Sequence, residues 1–160
     1  MHLVADILHL LCASVWLGGL VPLALVLIAS RRGPTAAGVA IARDATMRFS
    51  ALGVAGVGVL ILTGCINAVI LVGTPRALTT STYGRLLLIK LGLFAVMLGV
   101  AAINREILRP RLLAAAASGQ TAAPLRWLTL NSVAEIALGL AIFAVVGALG
   151  ILHPAVHAME

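Results

Sequence analysis

Four runs of apolar residues, at about 3–29, 50–73, 84–103 and 127–152, decide most of what this chain can become. Crossing the hydrocarbon core of a bilayer takes about 20 apolar residues in a helix. A backbone in lipid must satisfy its own hydrogen bonds, which leaves helices or closed barrels, and runs this long without strict alternation point to helices. With 62% hydrophobic residues and only 10% charged, the chain has no polar face to give to water. The fold expected is all-α, an integral membrane four-helix bundle forming a single transmembrane domain over residues 1–160. The first run has no basic residue before it and is too long for a signal-peptide core, so it is read as a retained helix.

The net charge of +6 does not indicate a nucleic-acid surface, because the arginines sit at the ends of apolar runs. Arg31, Arg32, Arg43 and Arg48 follow the first run, and Arg105, Arg109, Arg111 and Arg126 follow the third, whereas the segment between the second and third carries only Arg76 and Arg85. The positive-inside rule then puts the first and third connections in the cytoplasm and both termini on the periplasmic side. The partner this implies is the lipid bilayer. Pro22 is expected to kink the first helix, and Ala114–Ala117 with Ser118, Gly119 and Gln120 to end a short helix and continue as a loop.

With this topology His2, His9, His153 and His157 all gather at the outer side. At 100° per residue His2, Asp6, His9, Cys12 and Trp16 share roughly a third of the circumference of the first helix. An ionisable stripe on a membrane helix faces protein or a water-filled cavity. Asp6 and His2 also fit simple solvation of the helix end, whereas His9 lies deeper. On the third helix Lys90 shares a stripe with Tyr83, Phe94, Met97 and Asn104. It reads either as a snorkelling lysine or as a partner of Asp6 or His9.

Gly53, Gly56, Thr63, Gly64 and Asn67 form a small-residue face on the second helix, with Asn67 able to hydrogen-bond within the bundle and Cys65 pointing elsewhere. A disulfide between Cys12 and Cys65 is not expected. Asn131 and Glu135 stand four residues apart on the fourth helix, at the level of Arg48 or Arg105. Structural glue is the favoured reading there, and a proton or ion relay the alternative. His153 and His157 have metal-ligand spacing, weakened by Pro154, and Met159 adds a soft thioether.

Several of these residues fall into a pattern: His9 followed by Trp16-Leu17-Gly18-Gly19-Leu20, Arg48-Phe49-Ser50, Thr63-Gly64, Thr82-Tyr83-Gly84-Arg85 through Lys90-Leu91, Asn104-Arg105 and Glu135. Together they resemble the copper-resistance protein D family over most of the chain. The resemblance implies an inner-membrane copper-handling protein that acts in copper transport or resistance beside a periplasmic copper-binding partner. His9, Trp16, Tyr83 and Lys90 match motif positions, with Asp6 also plausible. Many members have about eight helices and this chain resembles their C-terminal half, so a full permeation path would call for a homodimer or a second subunit.

Two functions compete. In the first, copper is received at the outer face by His9 with Asp6, His2 or Cys12, assisted by His153 and His157. In the second, the chain is a haem b redox protein, since a histidine and a lysine such as His9 and Lys90 in a four-helix membrane bundle also resemble the membrane protoporphyrinogen oxidases. Trp16, Asn67, Tyr83, Lys90, Met97 and Glu135 are then structural or pathway residues. No mid-membrane histidine pair supports haem, and no Met- or Cys-rich run marks a tight Cu(I) site. Copper leads, and a scaffold binding neither is the third reading. No serine or cysteine is set with a base as a nucleophile would need, so transport or metal binding is favoured over catalysis.

Overall fold

A computed structural model describes residues 2–72 and 75–152, and among these every regular element is helical. The elements are α1 (His2–Arg32), α2 (Ala36–Val72), a short α3 (Pro75–Thr80), α4 (Thr82–Ile103), a π-helical turn (Asn104–Leu108), α5 (Arg109–Ser118) and α6 (Ala122–Gly150). Four segments are long and apolar enough to cross a membrane: Leu3–Arg32, Ala36–Leu71, Thr82–Ser118 and Ala122–Gly150. The protein is an all-α bundle of four membrane-spanning helices, as the apolar runs require.

The helices overrun those runs at the arginine-rich end. Arg43 and Arg48 stand on the first turns of α2, and Arg105 to Arg111 continue from α4 through the π-turn into α5, so they line helix extensions and not loops. Only Gly33 to Thr35 separate α1 from α2. The Thr35 hydroxyl accepts the Gly38 N–H at 3.0 Å and caps the new helix, while Ser30 Oγ on α1 donates to Gly38 O at 3.0 Å and ties the two ends together. Ser81 does the same for α4, accepting from Gly84 N at 2.9 Å. Gly119 closes α5 in the left-handed region, with φ 74°, where a side chain would be strained. α1 continues through Pro22 as one helical segment.

Lateral packing runs in the order α2, α1, α6, α4, and α2 and α4 make almost no direct contact. The bundle is therefore open between them over much of its length. Gly139 permits the tightest approach, between α1 and α6: a Cβ there would lie 2.5 Å from Leu17 Cδ1. Gly19 does likewise for α1 and α2, where a Cβ would meet the Phe49 ring at 2.9 Å.

Three buried clusters run along the bundle. Leu23, Leu27, Leu108, Leu112, Leu125 and Leu128 pack at the arginine-rich end. Trp16, Leu20, Leu60 and Met97 pack in the middle, and Tyr83, Leu87 and Leu149 at the end that holds the start of α1. The opposite faces carry exposed apolar side chains such as Leu52, Leu62 and Val69, the surface a bilayer covers.

Candidate functional site: two chambers that share a tryptophan wall

Two cavities lie inside this framework. The larger, about 360 Å³, is walled by His9, Ala13, Leu17, Gly64, Cys65, Lys90, Phe94 and Met97 among others, and sits toward the end that holds the start of α1. The second, about 250 Å³, lies toward the arginine-rich end and includes Thr46, Ser50, Asn104, Arg105, Ser132 and Glu135 in its wall. Trp16 and Leu20 line both. Trp16 is only 6% exposed, and it meets Phe94 edge to face with ring centroids 6.2 Å apart. Trp16, with Leu20, thus forms the wall shared by the larger, upper chamber and the smaller, lower one.

In the upper chamber the local chemistry of α2 sets the state of His9. The Thr63 hydroxyl donates its one proton to Val59 O at 2.7 Å, a bond back along its own helix, and it lies 2.9 Å from His9 Nδ1. With its proton committed, the Thr63 oxygen accepts, so Nδ1 carries the hydrogen and Nε2 keeps the lone pair. Gly64 makes room for the ring: a Cβ there would touch His9 Cε1 at 3.4 Å. One turn outward, Asn67 Nδ2 donates to Asp6 Oδ1 at 2.7 Å, while Asn67 Oδ1 is buried and meets no hydrogen-bond partner. A two-rung ladder, His9–Thr63 and Asp6–Asn67, therefore joins α1 to α2.

Lys90 stands on α4 at the same chamber. Among the described residues no salt bridge joins it to Asp6.

Cys65, expected to point away, lines the chamber with His9, whereas Cys12 packs into the central cluster with Trp16 and Leu20. This exchange follows from geometry. Cys12 is three residues from His9, on the part of α1 that turns toward its helix neighbours, while Cys65 follows Gly64 directly at the wall. Met97 is buried and lines the same chamber; Tyr83 packs instead against Leu87 and Leu149. Among the described residues no cluster of three His, Cys, Asp or Glu side chains stands ready to hold a metal. His153 and His157 lie outside the described residues, as does the side chain of His2.

The lower chamber corrects the pairing expected for Glu135. Neither Arg48 nor Arg105 reaches it; Asn104 Nδ2 donates to Glu135 Oε1 at 2.6 Å, and Asn131 Nδ2 donates to Asn104 Oδ1 at 2.8 Å. Arg105 turns across the gap between α4 and α2, giving Nη1 to Ser50 O at 3.1 Å and Nε to Glu106 Oε1 at 2.9 Å. Arg109 adds a bond to Ser50 Oγ at 3.4 Å. The cause is the π-turn, whose extra residue swings Asn104 toward α6 and Arg105 toward α2. No local sequence pattern announces it.

The family described as Copper resistance protein D matches residues 43–149. The chain is 33% identical over 158 residues to "Copper resistance protein D" of Pseudomonas syringae pv. tomato, covering 98% of this chain and 51% of that protein. It is 34% identical over 155 residues to "Inner membrane protein YebZ" of Escherichia coli, covering 96% of this chain and 49% of the relative. "Copper transport protein CutJ" of Bacillus subtilis is 36% identical over 99 residues, 62% of this chain and 18% of the relative. The chain thus spans about half the length of the first two and less of the third. No solved structure matches it significantly.

Proposed function

The chain belongs to the copper resistance protein D family, and from that premise we propose that it is a bacterial inner-membrane protein that receives copper from the periplasm at His9. Eight of its eleven lysines and arginines stand at one end of the bundle, the end that the positive-inside rule assigns to the cytoplasm. The upper chamber then opens toward the periplasm, where a copper-binding protein would deliver its metal.

One observation carries the proposal: the Thr63 bond fixes the His9 tautomer and leaves Nε2 as a free σ-donor in the wall of a cavity. A ligating histidine is ordinarily held in this way through its other ring nitrogen. Cys65 and Met97, in the same wall, supply the soft sulfur that suits Cu(I). Asp6 attracts the cation and Lys90 repels it, so the chamber is close to neutral. A moderate affinity results, suited to a step that must also release its cargo. His2, His153 and His157 are candidate auxiliary ligands, and Trp16 separates this copper site from the chamber below.

The test is to purify the chain in mild detergent, record its spectrum with and without dithionite, and count copper and iron per chain for wild type and His9→Ala. About one copper per chain, lost in the variant, is expected. A Soret band with stoichiometric iron that disappears with His9 would replace copper by haem b. Neither metal bound would leave a scaffold role.

A further inference from the structure

Among the described residues Glu135 is the one buried carboxylate, 2% exposed on α6, and no salt bridge reaches it. Oε1 accepts from the neutral amide of Asn104, which is oriented in turn by Asn131. The groups facing it from each packed element are few. α1 brings Trp16, Leu20, Leu23 and Leu27, and α2 brings Thr46, Phe49 and Ser50, none of them charged. The π-turn brings Arg105, whose guanidinium is committed to Ser50 and Glu106, and α5 brings Arg109, bonded to Ser50. An ionised carboxylate without a cationic partner is strongly disfavoured in such a place, whereas a protonated one accepts the Asn104 N–H through its carbonyl oxygen and suffers no such penalty. Intramembrane acids in this setting recur as proton-carrying groups.

We infer that Glu135 is a proton-exchange site of the lower chamber: it holds a proton at rest and releases it to water when a cation enters from beyond Trp16. The inference rests on the copper reading for the identity of that cation. Proton and metal balance simply, since the carboxylic acid loses one proton, the carboxylate gains a cation nearby, and the chamber's charge rises by none for Cu(I). Copper movement past Trp16 would then be accompanied by release of one proton from the lower chamber. Asn104 is a positioning residue, holding Oε1 so that the other oxygen carries the exchangeable hydrogen.

The chain has three glutamates, Glu106, Glu135 and Glu160, so glutamate carrying a ¹³C-labelled side-chain carboxyl gives a short assignment problem. The experiment is infrared difference spectroscopy of the labelled full chain in lipid nanodiscs at neutral pH, before and after Cu(I) in excess over one per chain, with bound copper counted in parallel. The expected result is a protonated-carboxyl band at rest, lost on copper addition with about one proton released to an indicator dye. The band should be absent in Glu135→Gln, which keeps the copper bound at His9. A wild-type spectrum without that band, or a band that persists while copper binds, overturns the inference and leaves the copper reading intact. Wild-type protein that binds no copper overturns both, and the wild-type spectra alone decide the matter if Glu135→Gln does not fold.

Discussion

Replacing Thr63 by valine keeps the shape of the side chain and removes one oxygen, which makes it a clean probe of how His9 is prepared for a metal. In the wild type that oxygen ends a short chain: it donates to Val59 O at 2.7 Å and accepts from His9 Nδ1 at 2.9 Å. Val59 O loses little in the variant, because a helix carbonyl already receives the N–H four residues on. His9 loses the hydroxyl oxygen that faces Nδ1. Interhelical hydrogen bonds in membrane proteins average about 0.6 kcal/mol and reach about 1.7 kcal/mol, so Thr63→Val should destabilise the bundle by no more than about 1.7 kcal/mol and leave it folded.

The metal feels the loss more. Without an acceptor, the Nδ1–H tautomer is no longer favoured, and the ring either carries its hydrogen on Nε2 or reorients. Loss of such an orienting partner ordinarily costs about 10- to 100-fold in metal affinity, equivalent to about 1.4–2.7 kcal/mol. The assay is competition for Cu(I) against a chelator of known affinity in nanodiscs, run for wild type, Thr63→Val, Thr63→Ser and His9→Ala. Thr63→Ser should stay near wild type, since its hydroxyl can make both bonds. Unchanged affinity in Thr63→Val, alongside abolished binding in His9→Ala, would refute the tautomer argument.

Three other outcomes follow from the same geometry. Lys90→Leu should tighten copper binding by about tenfold and Asp6→Asn weaken it similarly, because two charges on the order of 10 Å apart at an effective dielectric of about 20 interact by about 1.7 kcal/mol; equal affinities in the competition assay would show that neither charge senses the metal. Gly139→Ala should destabilise the bundle by about 1–3 kcal/mol through the clash with Leu17, and pairing it with Leu17→Ala should show a favourable coupling of at least about 0.5 kcal/mol in thermal or denaturant unfolding. Trp16→Ala should merge the two chambers and raise passive copper leak into proteoliposomes several-fold, whereas Trp16→Phe should preserve the barrier; equal leak in all three proteins would remove the indole from its role as partition.

The membrane fold was legible because it depends on lengths and composition that local sequence carries directly. Four apolar runs demand four spans, and the structure provides them. The helix-one stripe was legible for the same reason: period 3.6 fixes which side chains share a face, and Asp6, His9 and Trp16 do face the interior, as do Lys90, Phe94 and Met97 on α4. Periodicity says nothing, however, about rotation between helices. That is why the position of Cys65 at the chamber wall could not be read from α2 alone, before α1 and α2 were set against each other. It is also why Thr63 counted only as part of a small-residue surface when its hydroxyl defines the state of His9.

Glu135 shows the limit most clearly. Counting residues along the helices put it at the depth of Arg105, and depth alone made an arginine the natural counterion. The π-turn at Asn104–Leu108 overrides that count by inserting one residue into the helix at this level. The amide of Asn104 then reaches α6, and the guanidinium of Arg105 is carried to the Ser50 carbonyl on α2. An acid that would have been neutralised by a permanent charge is left with a neutral donor. Its charge is then set by exchange with protons and not by a fixed partner, a distinction that follows from a single residue of helical register.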